Sequence, residues 1–183
     1  MTHCGTLRLE TGRLVLRRFT LDDAEAMFRN WASDPEVTKY LTWPTHRSTE
    51  DTKAILHEWV SAYGKKDFYQ WAITLKENGD EPIGGIAAVK LEEDRSCAEI
   101  GYCIGRSFWR RGITSEALQA VIGFFFDRVG AKRIEARHDP RNPHSGAVMR
   151  KCGMQYEGTL RRSDRNNQGI CDACVYAILK TER

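Results

Sequence analysis

The sequence has little of what marks a membrane, secreted or nucleic-acid-binding protein. No apolar run in its 183 residues approaches the ~20 residues that a membrane span requires. The first residues, MTHCGTLRLETGR, lack the apolar core of a signal peptide. Lys and Arg number 28 against 25 Asp and Glu, and the net charge of +3 is too small to indicate a nucleic-acid surface. We therefore expect a soluble, cytoplasmic protein that has neither a membrane nor a nucleic acid as its partner.

Metal and redox motifs are also scarce. Cys171 and Cys174, two of six cysteines, have CxxC spacing, but no second CxxC pair and no HxxxH pair could complete a zinc site. The pair lies in strand-like sequence, where residues three apart point to opposite faces. We therefore expect reduced, unpaired cysteines and no bound metal.

Common nucleotide-binding motifs are missing as well. The chain contains neither GxxxxGK[ST] nor GxGxxG. It also lacks repeats, low-complexity tracts and long linkers, while its hydrophobic fraction of 41% is enough for a core. Residues 1–183 are therefore expected to form a single domain.

The sequence does contain a regular succession of strand-like and helix-like segments. Thr20 and Ser48 are suited to start helices, and the alternation that begins at Phe68 predicts a hairpin with a turn at Asn78-Gly79. This pattern predicts an α+β or mixed α/β fold on a largely antiparallel sheet, with one central crossover helix. The later segments are the strand AEIGYCIG, a helix ending at Gly130, the strand KRIEARHD, a helix over Ser145 to Lys151, and the strands QYEGTLRR and CVYAILK joined by the loop SDRNNQGI.

Charge and flexibility are concentrated in the stretch WRRGITSEAL, which leads from a strand into the central helix. Unpaired N–H groups at a helix start attract anions, and Gly112 permits the backbone to approach a bulky group closely. Arg110 and Arg111 can pair with phosphate, and Thr114 and Ser115 can cap the helix or donate to phosphate oxygens. The stretch indicates a phosphate or pyrophosphate site; the alternative is an ordinary capped helix with two solvated arginines.

Four stretches together resemble one enzyme family. EIGYCIGRSFWRRGITSEAL is similar to the acetyl-CoA-binding core of the GNAT N-acetyltransferases, in particular the RimJ/RimL-type branch that acetylates protein N-termini. The family's loop pattern, Q/R-x-x-G-x-G/A, reads here from Trp109 to Thr114, with Gly112 retained and Arg110 where the branch often has glycine. The other stretches, in the family's order, are TGRLVLRRFTLDDAEAMF, SDPEVTKYL and NPHSGAVMRKCGMQYEGTLR.

The resemblance implies a sheet that splays at a cofactor cleft and is flanked by helices. The pantetheine arm of acetyl-CoA would enter the gap and bond the backbone of Tyr102, Cys103 and Ile104, with an N–H near Cys103 or Ile104 as oxyanion donor. Gly101 and Gly105 fit such a close approach. The diphosphate would bind the loop residues, which are Arg110, Arg111, Gly112, Ile113, Thr114 and Ser115.

The resemblance also implies direct acetyl transfer to an amine. Ser145 of Asn142-Pro-His-Ser145 is the candidate proton or hydrogen-bond donor to the departing sulfur, with a helix cap as its alternative role. Asn142 would hold the pantetheine amide. Asp164 is the candidate base by family position and Glu99 is the rival base, and either would need a raised pKa or a water relay.

Two further residues invite a chemical role that we do not favour. His138 lies near a strand end, where a proton shuttle is conceivable, but a structural histidine is the expected reading. Cys103 is expected to pack, because no His/Asp spacing supports a covalent intermediate.

The identity of the acceptor amine stays open. A protein N-terminus, with ribosomal proteins as the family's known targets, is the first reading. The loops WPTHRSTED and RRSDRNNQGICD are mixed in charge, which disfavours a polyamine, although another small amine such as an aminoglycoside is the alternative. A sensor that binds acyl-CoA without turnover is a further alternative, and the protein is expected to be a monomer or homodimer.

Overall fold

One eight-stranded sheet organises the chain in a computed structural model that describes residues 1–183. The strands are β1 Leu9–Glu10, β2 Leu14–Arg17, β3 Gln70–Leu75, β4 Pro82–Glu92, β5 Cys97–Ile104, β6 Arg133–His138, β7 Gln155–Asn166 and β8 Gly169–Leu179. The helices are α1 Ala24–Met27, α2 Pro35–Thr38, α3 Thr49–Ala62, α4 Ile113–Phe124 and α5 Pro143–Lys151. α1 and α4 each continue into a π turn, Phe28–Ala32 and Phe125–Val129.

The strand order is β1-β2-β3-β4-β5-β6-β8-β7, and every neighbouring pair is antiparallel except β5 and β6. The crossover from β5 to β6 runs through α4, which confirms the predicted mixed α/β fold with one central crossover helix. The parallel pairing covers three residue pairs, from Cys97 opposite Arg133 to Glu99 opposite Glu135. Beyond them β5 and β6 no longer pair, so the sheet has the expected splay.

The main core lies between the sheet and α4. It contains 28 buried residues, and Leu118, Val121 and Phe125 supply the apolar side of the helix and its π turn. A second cluster of seven buried residues, with Trp31 and Leu56, packs under α1 and α3 on the other face. Helices therefore cover both faces of the sheet, and the gap between β5 and β6 lies within the sheet itself.

Local signals place several boundaries where the sequence predicts them. Ser48 begins α3 with a capping box: its hydroxyl accepts from the Asp51 N–H, while the Asp51 carboxylate accepts from the Ser48 N–H. Gly130 adopts φ +79° directly after the π turn that ends the central helix. No helix in the structure has the length and apolar character needed to span a membrane.

Two expectations about strands are wrong. The alternation in the opening segment, LRLETGRLVLRRF, predicts one strand, but Thr11 turns the chain and divides the segment into β1 and β2. The Thr11 N–H donates to the Leu14 carbonyl, and the Thr11 hydroxyl accepts from the Leu14 N–H. The polar segment SDRNNQGI is not a loop but the end of a long hairpin that turns at Asn167 and Gln168. An exposed edge strand tolerates polar residues on both faces, so its composition imitates a loop.

Candidate active site

The gap between β5 and β6 leaves backbone groups without a strand partner. The Gly105 N–H donates to the Ile83 carbonyl in β4 at 2.9 Å, and Cys103 lies opposite Gly85. In an antiparallel ladder alternate residues bond the same neighbour, so the N–H of Cys103 also points to β4. The backbone groups of Tyr102 and Ile104 point the other way, into the gap. Of the two predicted donor positions, Ile104 therefore presents its N–H to the gap and Cys103 does not.

One of these backbone groups already has a hydrogen-bond partner, Trp109. Its indole N–H donates to the Ile104 carbonyl at 2.9 Å. This bond satisfies the last carbonyl of β5, so the tryptophan at the first loop position has a structural role. The N–H of Ile104 and both backbone groups of Tyr102 stay available to a chain-like ligand.

The loop from Arg110 to Ser115 presents an unbroken run of N–H groups that donate to no backbone acceptor. Gly112 is the N-cap of α4 with φ +72°, and Arg110 also adopts a positive φ, +61°. Two left-handed residues bend the loop so that successive amides point outward, a geometry that binds anions. Arg110 stands where the branch often has glycine, and its backbone has the conformation that glycine favours.

The two loop arginines are not equivalent. The Arg111 guanidinium lies 3.1 Å from a Glu77 carboxylate oxygen, whereas the Arg110 side chain has no carboxylate partner. Two cations that sequence reasoning missed also border the loop. A Cβ on Gly112 would lie 3.4 Å from the Lys151 ammonium and 3.6 Å from an Arg13 nitrogen. They come from α5 and the β1–β2 turn, and no local sequence signal connects them to the loop.

The expected capping of α4 by Thr114 or Ser115 is wrong. The helix begins at Ile113 with Gly112 as N-cap, and the Ser115 side chain is buried. The negative charge in the first turn belongs to Glu116, whose carboxylate lies 2.7 Å from the Arg13 Nε. That ion pair reduces the repulsion that Glu116 would exert on an anion at the loop.

α5 begins beside the gap and carries the expected Asn142 and Ser145. Asn142 is the N-cap, but its side chain forms no hydrogen bond and is available to a ligand. The alternative role of Ser145 as a helix cap is wrong, because Ser145 lies inside the helix. Its hydroxyl instead lies 3.0 Å from the Tyr102 phenol oxygen.

His138 ends β6 on the opposite side of this turn. Its Nδ1 is 2.8 Å from the Asp139 carbonyl, which fixes the proton on Nδ1. Its Nε2 is buried without a hydrogen-bond partner, and a Cβ on Gly146 would lie only 2.6 Å from it. The ring packs as a structural histidine, but one nitrogen stays unsatisfied.

Glu99 lies at the last paired position before the strands part. The Arg137 Nε is 3.5 Å from its carboxylate, which is about one-fifth exposed. Burial raises the pKa of Glu99, Arg137 opposes the rise, and the negative charges of Glu135 and Asp164 add to it. A half-buried carboxyl with a raised pKa is suited to accept a proton near neutral pH.

Asp164 is on β7 opposite Cys171, and its side chain is exposed. One carboxylate oxygen accepts from the Arg165 N–H at 2.7 Å. Its negative charge contributes to the raised pKa of Glu99. The two candidate bases therefore differ in surroundings, because Glu99 is half-buried beside Arg137 and Asp164 is exposed.

Gly101 and Gly105 do make close approaches, but to this chain itself. A Cβ on Gly105 would lie 2.5 Å from the Asn30 carbonyl oxygen, and one on Gly101 would lie 2.9 Å from a Val89 methyl. Contacts within the chain therefore explain the missing side chains at these two positions, and a contact of either glycine with the cofactor stays a prediction. Burial raises the pKa of Cys103 to about 12, which keeps its thiol neutral and unsuited to nucleophilic attack.

Comparisons with known proteins agree on one family. The acetyltransferase (GNAT) domain matches residues 13–155. The uncharacterized N-acetyltransferase YoaA of Bacillus subtilis is 36% identical over 172 residues, which are 94% of this chain and 96% of that protein. The ribosomal-protein-serine acetyltransferase of Escherichia coli is 31% identical over 138 residues, 75% of each chain. The crystal structure of a GNAT-family acetyltransferase from Bacillus anthracis superposes with a TM-score of 0.83 at 27% identity, covering 96% of this chain and 99% of that one.

The residues at the gap fit the co-substrate of that family, acetyl-CoA. The free amides from Arg110 to Ser115 suit a diphosphate, and the unpaired backbone groups of Tyr102 and Ile104 suit an amide-bearing arm. No group of His, Cys, Asp and Glu side chains is arranged to hold a metal ion. The chain therefore belongs to the GNAT acetyltransferases and is an acetyl-CoA-dependent N-acetyltransferase.

Proposed function

We propose that the acceptor is the N-terminal amine of a protein, with a ribosomal protein as the first candidate. The observation that carries this is the mixed charge of the candidate residues: the Glu99 carboxylate lies 3.5 Å from Arg137, and Arg165 directly follows Asp164 on β7. A polyamine, with several positive charges, would require an excess of carboxylates there. The Escherichia coli relative, named a ribosomal-protein-serine acetyltransferase, supports the same class of acceptor.

The coenzyme is assigned to the gap and the loop. The amides of residues 110–115, with Arg110 and Lys151, bind the diphosphate by hydrogen bonds and charge. Tyr102 and Ile104 bond the pantetheine arm through their backbone, as a neighbouring strand would. The carboxamide of Asn142 hydrogen-bonds an amide of that arm.

Glu99 is the proposed base. Its carboxylate takes the proton that the amine loses, directly or through one water, as the new C–N bond forms. The Ile104 N–H donates to the carbonyl oxygen while negative charge develops there. When the C–S bond breaks, sulfur keeps the electron pair, and the Ser145 hydroxyl donates a hydrogen bond to the thiolate. Water later restores the proton balance of Glu99 and the released thiolate.

The hairpin of β7 and β8 lies beyond β6, on the far side of the gap from β5. Its tip is bonded to the segment before α3, because the Asn167 carboxamide donates to the carbonyls of Thr38 and Trp43 at 2.8 and 2.7 Å.

All six cysteines are free thiols. That state supports a reducing compartment, so we place the enzyme in the cytoplasm.

Thiol release from acetyl-CoA with a panel of amines tests the proposal. The panel contains peptides with N-terminal Ser, Ala or Met, the same peptides with blocked N-termini, spermidine and an aminoglycoside. We expect turnover of free N-termini and none of blocked ones. Preference for spermidine or the aminoglycoside would contradict the proposed acceptor, and tight coenzyme binding without turnover of any amine would favour the sensor.

A further inference from the structure

The first turn of α5 is held from both sides of the gap. On the β5 side, the phenol oxygen of Tyr102 lies 3.0 Å from the Ser145 hydroxyl and 3.0 Å from the Ser145 carbonyl oxygen. On the β6 side, the ring of His138 packs so closely on Gly146 that no Cβ fits there. Ser145 therefore stands at a fixed place above the point where the strands diverge.

Only one arrangement of protons satisfies both contacts of Tyr102 at once. A carbonyl oxygen can only accept, so the phenol donates to the Ser145 carbonyl. The phenol oxygen then accepts the remaining bond from the Ser145 hydroxyl. Burial raises the pKa of Tyr102, so the phenol stays protonated and serves as a neutral hydrogen-bonding group.

We propose that Tyr102 is a positioning residue that sets the direction of the Ser145 hydroxyl for the departing sulfur. The inference rests on the role given to Ser145 in the proposed function. While the site waits for the coenzyme, the Ser145 proton points to the phenol. When Ser145 donates to sulfur instead, the phenol turns its own proton to the Ser145 oxygen. The serine thus keeps Tyr102 as a hydrogen-bond partner in both states and does not swing to another rotamer.

Tyr102 does not give up its proton in this scheme. The amine proton goes to Glu99, the C–S electron pair goes to sulfur, and both hydroxyl groups end the step as neutral hydroxyls. What Tyr102 supplies is orientation, because a serine held by two hydrogen bonds loses less rotational freedom when it donates to the thiolate.

A double-mutant cycle of Tyr102→Phe and Ser145→Ala tests the inference, with the best amine of the panel as acceptor. Ser145→Ala is expected to lower kcat about tenfold and Tyr102→Phe about fivefold, each with KM for acetyl-CoA unchanged. In the Ser145→Ala background, Tyr102→Phe should change kcat less than about twofold, since Tyr102 acts through the serine. Effects that multiply would overturn the inference.

Tyr63→Phe is the matched control for loss of a buried phenol. The Tyr63 hydroxyl bonds the Phe19 N–H at 2.8 Å and the Gln70 carbonyl at 2.9 Å, away from the gap. It should lower the melting temperature without lowering kcat. A kcat loss as large as that of Tyr102→Phe would mean that both variants act through general loosening, and would overturn the positioning role.

A second measurement needs no acceptor. Bound CoA is titrated by the ultraviolet absorbance of its thiolate, which Ser145 stabilises by donating to sulfur. Ser145→Ala and Tyr102→Phe should each raise the pKa of the bound thiol by about 0.5 to 1, and the double variant should raise it no further. Wild-type behaviour of Ser145→Ala would remove the serine from the proposed function as well, whereas a normal Tyr102→Phe beside an altered Ser145→Ala would overturn only the role of Tyr102.

Discussion

At the residue scale, Glu99 shows how activity and stability make opposite demands on one side chain. Burial raises the pKa of its carboxyl, so the folded protein holds the ionised form at a cost above that pKa. The penalty is absent at low pH, where the carboxyl is neutral in both the folded and unfolded chain. The same penalty makes Glu99 a better proton acceptor for an amine.

Glu99→Gln should therefore raise the melting temperature at pH 7 to 8 and lower kcat by about a hundredfold or more. The stability gain should vanish as the pH falls below about 4, where wild-type Glu99 is also neutral. Calorimetric melts across pH and the pH profile of kcat/KM measure both effects. Asp164→Asn is the comparison variant; a larger kcat loss from it than from Glu99→Gln would make Asp164 the base.

Arg110 combines a useful charge with an unfavourable backbone conformation. Its φ of +61° costs an L residue about 1 kcal/mol relative to glycine. Arg110→Gly and Arg110→Ala both remove the charge, but only the glycine variant removes the strain. We expect equal, several-fold losses of CoA affinity by titration calorimetry. The free energy of unfolding of Arg110→Gly should be about 1 kcal/mol higher than that of Arg110→Ala. Equal stabilities of the two variants would show that the loop relaxes.

At the element scale, the position of α5 depends on the contact between Gly146 and His138. A Cβ at position 146 would lie 2.6 Å from Nε2 and 3.2 Å from Cε1 of the ring. Gly146→Ala should therefore destabilise the fold by about 1–3 kcal/mol, although alanine favours helices. Denaturant unfolding measures the change. In a His138→Ala background the same substitution should be neutral or stabilising, and a persistent loss there would place the clash elsewhere.

The tip of the β7–β8 hairpin is tied to the segment before α3, next to the proposed acceptor site. Asn167→Ala removes two hydrogen bonds to backbone carbonyls and should lower stability by about 1–2 kcal/mol while raising KM for the acceptor more than KM for acetyl-CoA. Gln168→Ala, at the neighbouring exposed tip position, is the control and should leave both KM values unchanged. Similar kinetics for the two variants would exclude the tip from acceptor binding.

Elements with strong periodicity could be predicted from the sequence. α4 and the β3–β4 hairpin bury one face or both, so their apolar spacing carries the necessary information. The β7–β8 hairpin is largely exposed at its end, so no apolar pattern distinguishes it from a loop. The same reasoning explains how much of the site could be predicted. Residues 110–115 are contiguous in the sequence, whereas Lys151 and Arg137 are distant in sequence and only folding brings them to the site.

At the scale of the whole molecule, three parallel residue pairs are the only strand pairing between the two parts of the sheet. One part contains β1 to β5, and the other contains β6 to β8. In the proposed binding mode acetyl-CoA lies between them and contacts both, so its binding should stabilise the folded state by about 2.7 kcal/mol at a hundred times Kd.

Hydrogen exchange with and without CoA tests this at single amides. Binding should slow exchange at residues 110–115 and at Tyr102 and Ile104, whose N–H groups have no strand partner. Gly101 and Cys103, which face β4, should be protected in both states and serve as internal controls. Unchanged exchange at the loop and the gap would contradict the assigned coenzyme path.

The short strand pairing between β5 and β6 has a consequence for the lifetime of the enzyme in a cell. Proteases cleave chains that open, and the opened fraction falls as a stabilising metabolite becomes abundant. A sheet completed by a ligand therefore makes the lifetime of the folded enzyme depend on how much of the coenzyme is present.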